Sequence, residues 1–257
     1  MLLTPDHALA ASWRDPPVST RGARLLVAGA TGATGEAVLT RLASSSRVAR
    51  IDLLLWQPVT VALRHVRGVV VHGEHPEHWP LPSADEGVVM FDPPRLFRGR
   101  EKALCHIVPA QLPAVGHWMH ACGVRRLLVV MPHEQGRLPE AIKRGLANVD
   151  EQTVASLGFE CVVIIRSAQA PGRKSGLGLL PRLAAGMLGV LHYLVPAREK
   201  PVNARSVARV AEVALALAPP GIHIAGPELV WEAVQGDVEA KVSRWLRGEV
   251  SPGDNAG

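Results

Sequence analysis

The chain has 257 residues, of which 47% are hydrophobic and 20% charged, and a formal net charge of +5. That length suits one α/β domain with a sizeable core, and the composition is that of an ordinary water-soluble protein. The positive charge is spread out rather than blocked, so it does not argue for a specific nucleic-acid footprint, and Arg95, Arg98 and Arg100, like Arg125 and Arg126, read as solvated surface. The three cysteines, Cys105, Cys122 and Cys161, are far apart, odd in number and without C-x-x-C spacing, which points to a reducing, cytoplasmic setting.

Residues 1–22 carry Asp6, Asp15 and a Pro16-Pro17 pair, with no apolar run of signal-peptide length, and are expected to form a loose tail. Residues 24–36 (RLLVAGATGATGE) then read as a short apolar strand over 25–28, a turn with Gly29, Gly32 and Gly35, and a helix that places Ala37, Val38 and Leu42 on one face. The spacing is G-x-x-G-x-x-G, and it lies where a phosphate nest requires glycine. Gly29 permits the tight turn, Gly32 lets the backbone approach a pyrophosphate, and Gly35 lets the helix lie close to the strand. The hydroxyls of Thr31 and Thr34 add hydrogen-bonding capacity beside the nest, with Ala33 between them.

Buried-type strands follow at 51–56 (IDLLLW), 68–72 (GVVVH) and 87–91 (GVVMF), the last running into Asp92, Pro93 and Pro94. His72, His75 and His78 bracket Glu74 and Glu77. Spacing of three through a proline-containing loop does not make these ligands converge, so a solvated polar loop without metal is expected. A helix over 109–122 carries Leu112, Val115 and Met119 at helical spacing and stops at Gly123, with His117 and His120 expected to be partly buried beside Trp118 and Met119.

Next come a strand at 126–131 (RLLVVM), a helix at 139–157, and a strand at 161–165 (CVVII). Continuous apolar strands separated by helices predict a parallel sheet covered on both faces. Residues 176–196 (GLGLLPRLAAGMLGVLHYLVP) are strongly apolar, but Pro181, Arg182 and His192 argue against a membrane span. A lid is the expected role, and the surplus leucines suit a protein partner or self-association. Val207, Val210, Ala211, Ala214 and Leu217 mark another amphipathic helix, followed by a strand at 221–225 and a polar C-terminal helix. The expected organisation is a tail over 1–22, one domain over 23–228 with its lid at 174–200, and a C-terminal helix and tail over 229–257.

The runs LLVAGATGATGEAVLTRL, ACGVRRLLVVM, SLGFECVVIIRSAQAPG and KPVNARSVARVAEVALA, in this order, resemble the atypical short-chain dehydrogenase/reductase families. The branch they are most similar to is that of the Tat-interacting-protein-like oxidoreductases, with the nitrogen metabolite repressor-like proteins next, and the resemblance spans residues 24–228. It implies a Rossmann-type doubly wound parallel sheet with a small C-terminal lid portion, and a nicotinamide dinucleotide, NAD or NADP, lying across the strand ends. Carried onto this chain, the dinucleotide contacts are Gly29, Thr31, Gly32, Ala33, Thr34, Gly35, Trp56, Phe91, Asp92, Met131 and Arg166, with Gln169 also lining the pocket.

Active members of these families use a Tyr-x-x-x-Lys pair after the fifth strand and a serine at that strand's end. Here Met131 and Pro132 stand at the strand end, and the following helix offers Lys143 with no phenol before it. Tyr193, the chain's single tyrosine, is followed four positions on by Ala197. His133 and Glu134, expected just beyond the fifth strand, could replace the proton donor, but nothing in the sequence fixes a partner for His133 and an exposed loop is the expected reading. The second strand ends in Trp56 and Gln57, neither the acid that selects NAD nor the arginine that selects NADP, and two readings fit Trp56: a stack along adenine, or a core-edge aromatic. Three functions therefore remain open: a dinucleotide-binding pseudoenzyme with a sensor, regulatory or assembly role, an active oxidoreductase or isomerase with a noncanonical proton donor, and an interaction protein with an empty nucleotide site.

Overall fold

The fold was analysed from a computed structural model, which describes residues 22–92, 95, 99–133, 156–168 and 202–249. Among them, β1 (Ala23–Ala28) leads through the glycine turn into α1 (Gly32–Ala43), followed by β2 (Val48–Leu55), β3 (Val66–Val70) and β4 (Glu86–Met90). Then come α2 (Leu112–Ala121), β5 (Arg126–His133), β6 (Cys161–Ala168), α3 (Ala204–Leu217), β7 (Gly221–Ala225), α4 (Pro227–Ala233) and α5 (Val238–Leu246). The expected helix over 139–157 and the segment 174–200 lie outside the described residues, apart from the last turn at Ser156 and Leu157.

The strands form one sheet in the order β3-β2-β1-β4-β5-β6-β7, and all six pairings are parallel. This is the doubly wound Rossmann-type arrangement. The order reverses between β1 and β4, and the crevice at such a switch point lies outside the carboxyl ends of the strands. The central strands can be fully apolar because both faces are covered. On one face Leu25, Val27, Ile51, Leu53, Val88, Val163 and Ile165 pack against α1, α3, α4 and α5, and on the other Leu26, Leu54, Val89, Leu127, Val129 and Ile164 pack against α2, Trp79 and Phe91.

Several elements differ from expectation. β2 begins at Val48, because Arg50 and Asp52 are accommodated inside the strand by pairing Asp52 with Arg50 and Arg67, both at 3.1 Å. β3 ends at Val70, and His72 is exposed beyond it. His117 and His120 are exposed on α2, whereas Trp118 and Met119 are buried; His120 meets the ring of Phe159 edge-on at 5.4 Å. On α3 the buried stripe closes on Leu215, and Leu217 is exposed.

The polar C-terminal helix is in fact two helices, and both belong to the main body. Val230, Ala233, Val238, Val242 and Leu246 are all buried in the core around α3, with Asp237 capping α5 through the N–H groups of Glu239 and Ala240. The buried residues recur at a spacing of three on α4 and of four on α5, so each stripe is narrow and the C-terminal region looks polar by composition. No helix among the described residues is long and apolar enough to cross a membrane.

Candidate functional site

The glycine turn sits at the carboxyl end of β1, at the switch point. Gly29 has φ +73°, and a Cβ there would stand 1.9 Å from the Met90 carbonyl oxygen of the neighbouring β4, so both its conformation and the strand packing demand glycine. Gly32, the first residue of α1, also has a positive φ of +72° and is buried. At Gly35 a Cβ would meet the Ala30 carbonyl carbon at 2.6 Å, so this glycine lets α1 close down on the turn itself.

A helix begins with N–H groups that have no partner within the helix. Thr31 is the N-cap, yet its side chain caps nothing: the hydroxyl is fully buried and donates to the Asp92 carbonyl at 2.5 Å, so it is already used. The free N–H groups are instead answered from far along the chain. The Thr34 N–H donates to the Asp92 carboxylate at 2.7 Å, and the Gly32 N–H donates to Glu101 Oε2 at 3.2 Å. Two anionic groups therefore stand at the positive end of α1, the position that its dipole and its unfilled donors favour for a phosphate.

Glu101 is held from several sides. Only 6% of its surface is exposed, and it accepts the Arg95 main-chain N–H at 2.7 Å and Arg95 Nε at 2.6 Å, while the same guanidinium reaches Glu36 at 2.7 Å. Burial works to raise the Glu101 pKa, but the two Arg95 donors and the Gly32 N–H outweigh it and hold the group below the ordinary carboxylate value, so Glu101 is ionised at neutral pH. Glu101 in turn raises the Arg95 pKa. Arg95 is thus a clamp rather than a solvated surface charge.

The segment that carries Glu101 lies across the strand ends. Its 3-10 turn, Gly99–Ala103, is followed by an antiparallel bridge between Leu104 and Leu55. The N–H groups of Gly29, Trp56 and Cys105 donate to Cys105, Ala103 and Leu54 carbonyls at 3.1, 2.7 and 3.1 Å. The backbone of residues 103–105 therefore closes over the ends of β1 and β2, where the adenosine half of a dinucleotide lies in Rossmann sites.

The other expected contacts fall in different places. Ala33 is exposed and Thr34 half-buried on the first turn of α1. Trp56 is half-buried and meets Trp79 edge-on at 6.0 Å. Phe91 is buried in the core against α2. Met131 is half-buried against that same cluster, and in the β5/β6 register it pairs with half-buried Arg166. His133 is the last residue of β5, opposite Ala168, rather than the start of a loop, because β5 keeps pairing with β6 for two residues past Met131. Lys143, Gln169 and Tyr193 lie outside the described residues.

Sequence reasoning missed Glu101, Arg95 and His106. His106 follows Cys105 directly; its Nδ1 is buried with no hydrogen-bond partner among the described residues, and burial pushes its pKa down, leaving a neutral imidazole. The thiols are poor nucleophiles, since burial pushes both Cys105 and Cys122 up to about 12 and raises Cys161 as well. Among the described residues no histidine, cysteine and carboxylate cluster has the makings of a metal site: His75 and Glu77, 3.3 Å apart, are both exposed.

No protein-family model matches the sequence, and no curated protein sequence matches it either. Among solved structures, it is similar to MoeE5 in complex with UDP-glucuronic acid and NAD, with 15% identity and a TM-score of 0.48 over 79% of this chain and 75% of that one. A short chain dehydrogenase family protein from Francisella tularensis is 13% identical, with a TM-score of 0.35 over 86% of this chain and 93% of that one. dTDP-4-dehydrorhamnose reductase from Yersinia enterocolitica is 9% identical, with a TM-score of 0.33 over 88% of this chain and 99% of that one. At such identities the assignment of the fold rests on the strand order of the sheet itself.

Proposed function

We infer that this chain is a nicotinamide-dinucleotide-binding protein of the atypical short-chain dehydrogenase type, working as a sensor, regulator or assembly factor rather than as a dehydrogenase. The observation that carries the reading is the glycine turn at the switch point of the sheet, whose Gly32 and Thr34 N–H groups hold anionic oxygens. Those oxygens are carboxylate oxygens standing in for phosphate. The dinucleotide, when bound, would supply hydride chemistry. This chain's own residues would hold its pyrophosphate at Gly32 and Thr34, and the Tyr-x-x-x-Lys pair needed to move the accompanying proton is missing from the sequence.

Calorimetry with NAD(H) and NADP(H) tests the reading. Wild type should bind at least one of them, and Gly32→Leu should abolish binding, because a side chain would both strain the positive φ and fill the pyrophosphate position. Absence of binding at millimolar nucleotide would overturn it. Turnover of an aldehyde, ketone and quinone panel should stay near background, since loss of a positioned proton donor typically removes ~10²–10⁴ in rate. Robust NAD(P)H oxidation that is lost in His133→Ala would replace the pseudoenzyme by an active oxidoreductase.

A second reading, an interaction protein whose nucleotide crevice stays empty, is favoured by the carboxylates that fill the nest. For either reading, the apolar segment 176–196 is the proposed contact with a partner or a second copy, and a cytoplasmic setting goes with the three unpaired cysteines. Polar substitutions at Leu183 and Met187 should then weaken self-association or partner capture without lowering the melting temperature.

A further inference from the structure

We propose that Glu101 is a built-in competitor for the dinucleotide: its carboxylate occupies the pyrophosphate position, and the protein binds nucleotide only when Glu101 swings out and leaves Gly32 and Arg95 to the phosphates. The proposal rests on the dinucleotide reading above and adds a control element to that same site.

The contacts of Glu101 are those a diphosphate would make. One oxygen takes the Gly32 N–H at the positive end of α1, and the carboxylate pairs with the Arg95 guanidinium, which is planar and forked as phosphate recognition favours. Glu101 comes from 69 residues away in sequence and is almost wholly buried, so it is not a local cap that fell into place beside its helix. Its segment is stitched to the ends of β1 and β2 through Cys105, Ala103 and Leu54, which fixes the competitor in the crevice rather than at its rim. Asp92, on the neighbouring Thr34 N–H, leaves the first turn of α1 facing two carboxylates. A diphosphate brought beside them would meet like charge at close range, least screened at the buried Glu101. Displacement releases the Glu101 side of Arg95 at the same time, so the guanidinium, still held by Glu36, exchanges Glu101 for phosphate. A ligand that lacks the diphosphate, such as adenosine, gains nothing from that exchange.

The test is calorimetry on the full chain with NADH, ADP-ribose and adenosine as probes. Glu101→Ala should bind NADH and ADP-ribose about tenfold or more tightly than wild type, the scale of one charge-assisted hydrogen bond no longer competed for. Glu101→Gln, which keeps the shape and guards against misfolding, should fall between them. Adding Arg95→Met to Glu101→Ala should remove most of the gain, and adenosine should bind all variants alike. Equal NADH affinity in wild type and in both folded Glu101 variants would overturn the competitor and leave the dinucleotide reading standing. If none of the folded proteins binds NADH, both fall; a Gly32 amide NMR resonance that still shifts on Glu101→Gln would then identify Glu101 as a plain structural cap.

Discussion

The two edges of the sheet solve the same problem, the burial of carboxylates, in different ways. At the amino ends of β1 and β4, and at Asp52 inside β2, each acid is met by arginine side chains. Arg24 forms a two-pronged pair with Asp85 at 2.9 and 3.0 Å, Arg47 and Arg126 approach Glu86 at 2.5 and 3.7 Å, and Arg50 and Arg67 flank the fully buried Asp52 at 3.1 Å. At the carboxyl ends, Asp92 and Glu101 also take main-chain N–H groups from the start of α1, Glu101 sharing its carboxylate between Gly32 and the Arg95 guanidinium. On the first edge the charges are matched side chain to side chain, although Arg47 Nε and Nη2, Arg50 Nε and Glu86 Oε2 are buried there with no hydrogen-bond partner among the described residues. Backbone donors at a helix start can serve any anion that fits, so on the proposed reading the second edge is a nucleotide site filled by the chain's own carboxylates.

Substitutions at the two edges should separate these roles. The largest loss of stability is expected from Gly29→Ala: the Cβ would collide with the Met90 carbonyl at a backbone conformation that alanine disfavours. Urea denaturation should show a loss of about 3–4 kcal/mol, combining overpacking with backbone strain. Arg50→Met attacks the other edge by removing one of the two cations from buried Asp52. A loss of about 2–3 kcal/mol is expected in the same assay, below that of a fully broken buried pair because Arg67 remains. Nucleotide affinity should be unchanged in Arg50→Met, and a matching loss of affinity would erase the distinction between the edges.

Smaller effects follow. Asp92→Ala removes the acceptor of the Thr34 N–H, and the loss should be about 1 kcal/mol, that of a missing helix cap. The smallest effect belongs to Asp85, whose pairing with Arg24 holds its pKa at about 2, below the ordinary aspartate value. A depressed folded-state pKa gives stability that is present above the unfolded value, about 3.9, and is lost as pH falls through the folded one. Both side chains are more than a third exposed, so water screens the pair and its contribution should stay below ~1 kcal/mol. The gap in melting temperature between wild type and Asp85→Asn should therefore be constant from about pH 7 to pH 5 and close towards pH 2. A gap that widens on acidification would give the pair the wrong sign.

The fold was legible where apolar runs are continuous. β1, β4, β5 and β6 are buried on both faces, and no polar residue interrupts their centres. Legibility failed where a polar residue is paid back elsewhere in the chain, as at Arg50 and Asp52 inside β2, whose partner Arg67 lies on β3. The glycine turn could be read because its requirements are local: strand, positive φ, helix start. Glu101 could not, because nothing near it in sequence signals a helix cap. Only the return of the chain from β4 across the ends of β1 and β2 brings it to Gly32. Arg95 was misread for the same reason, since a charged residue in a proline-rich stretch looks solvated until its partner Glu101 is in place.

The central claim is that the N–H groups at the start of α1 form an anion site that a dinucleotide can take over from the chain's own carboxylates. The most direct measurement is an NMR titration of the amide-labelled protein with NADH, following Gly32 and Thr34 at one edge of the sheet and Arg24 and Glu86 at the other. The Gly32 and Thr34 amides should shift and saturate together while those of Arg24 and Glu86 stay in place. Gly32 and Thr34 amides that remain unmoved at saturating NADH would contradict that claim.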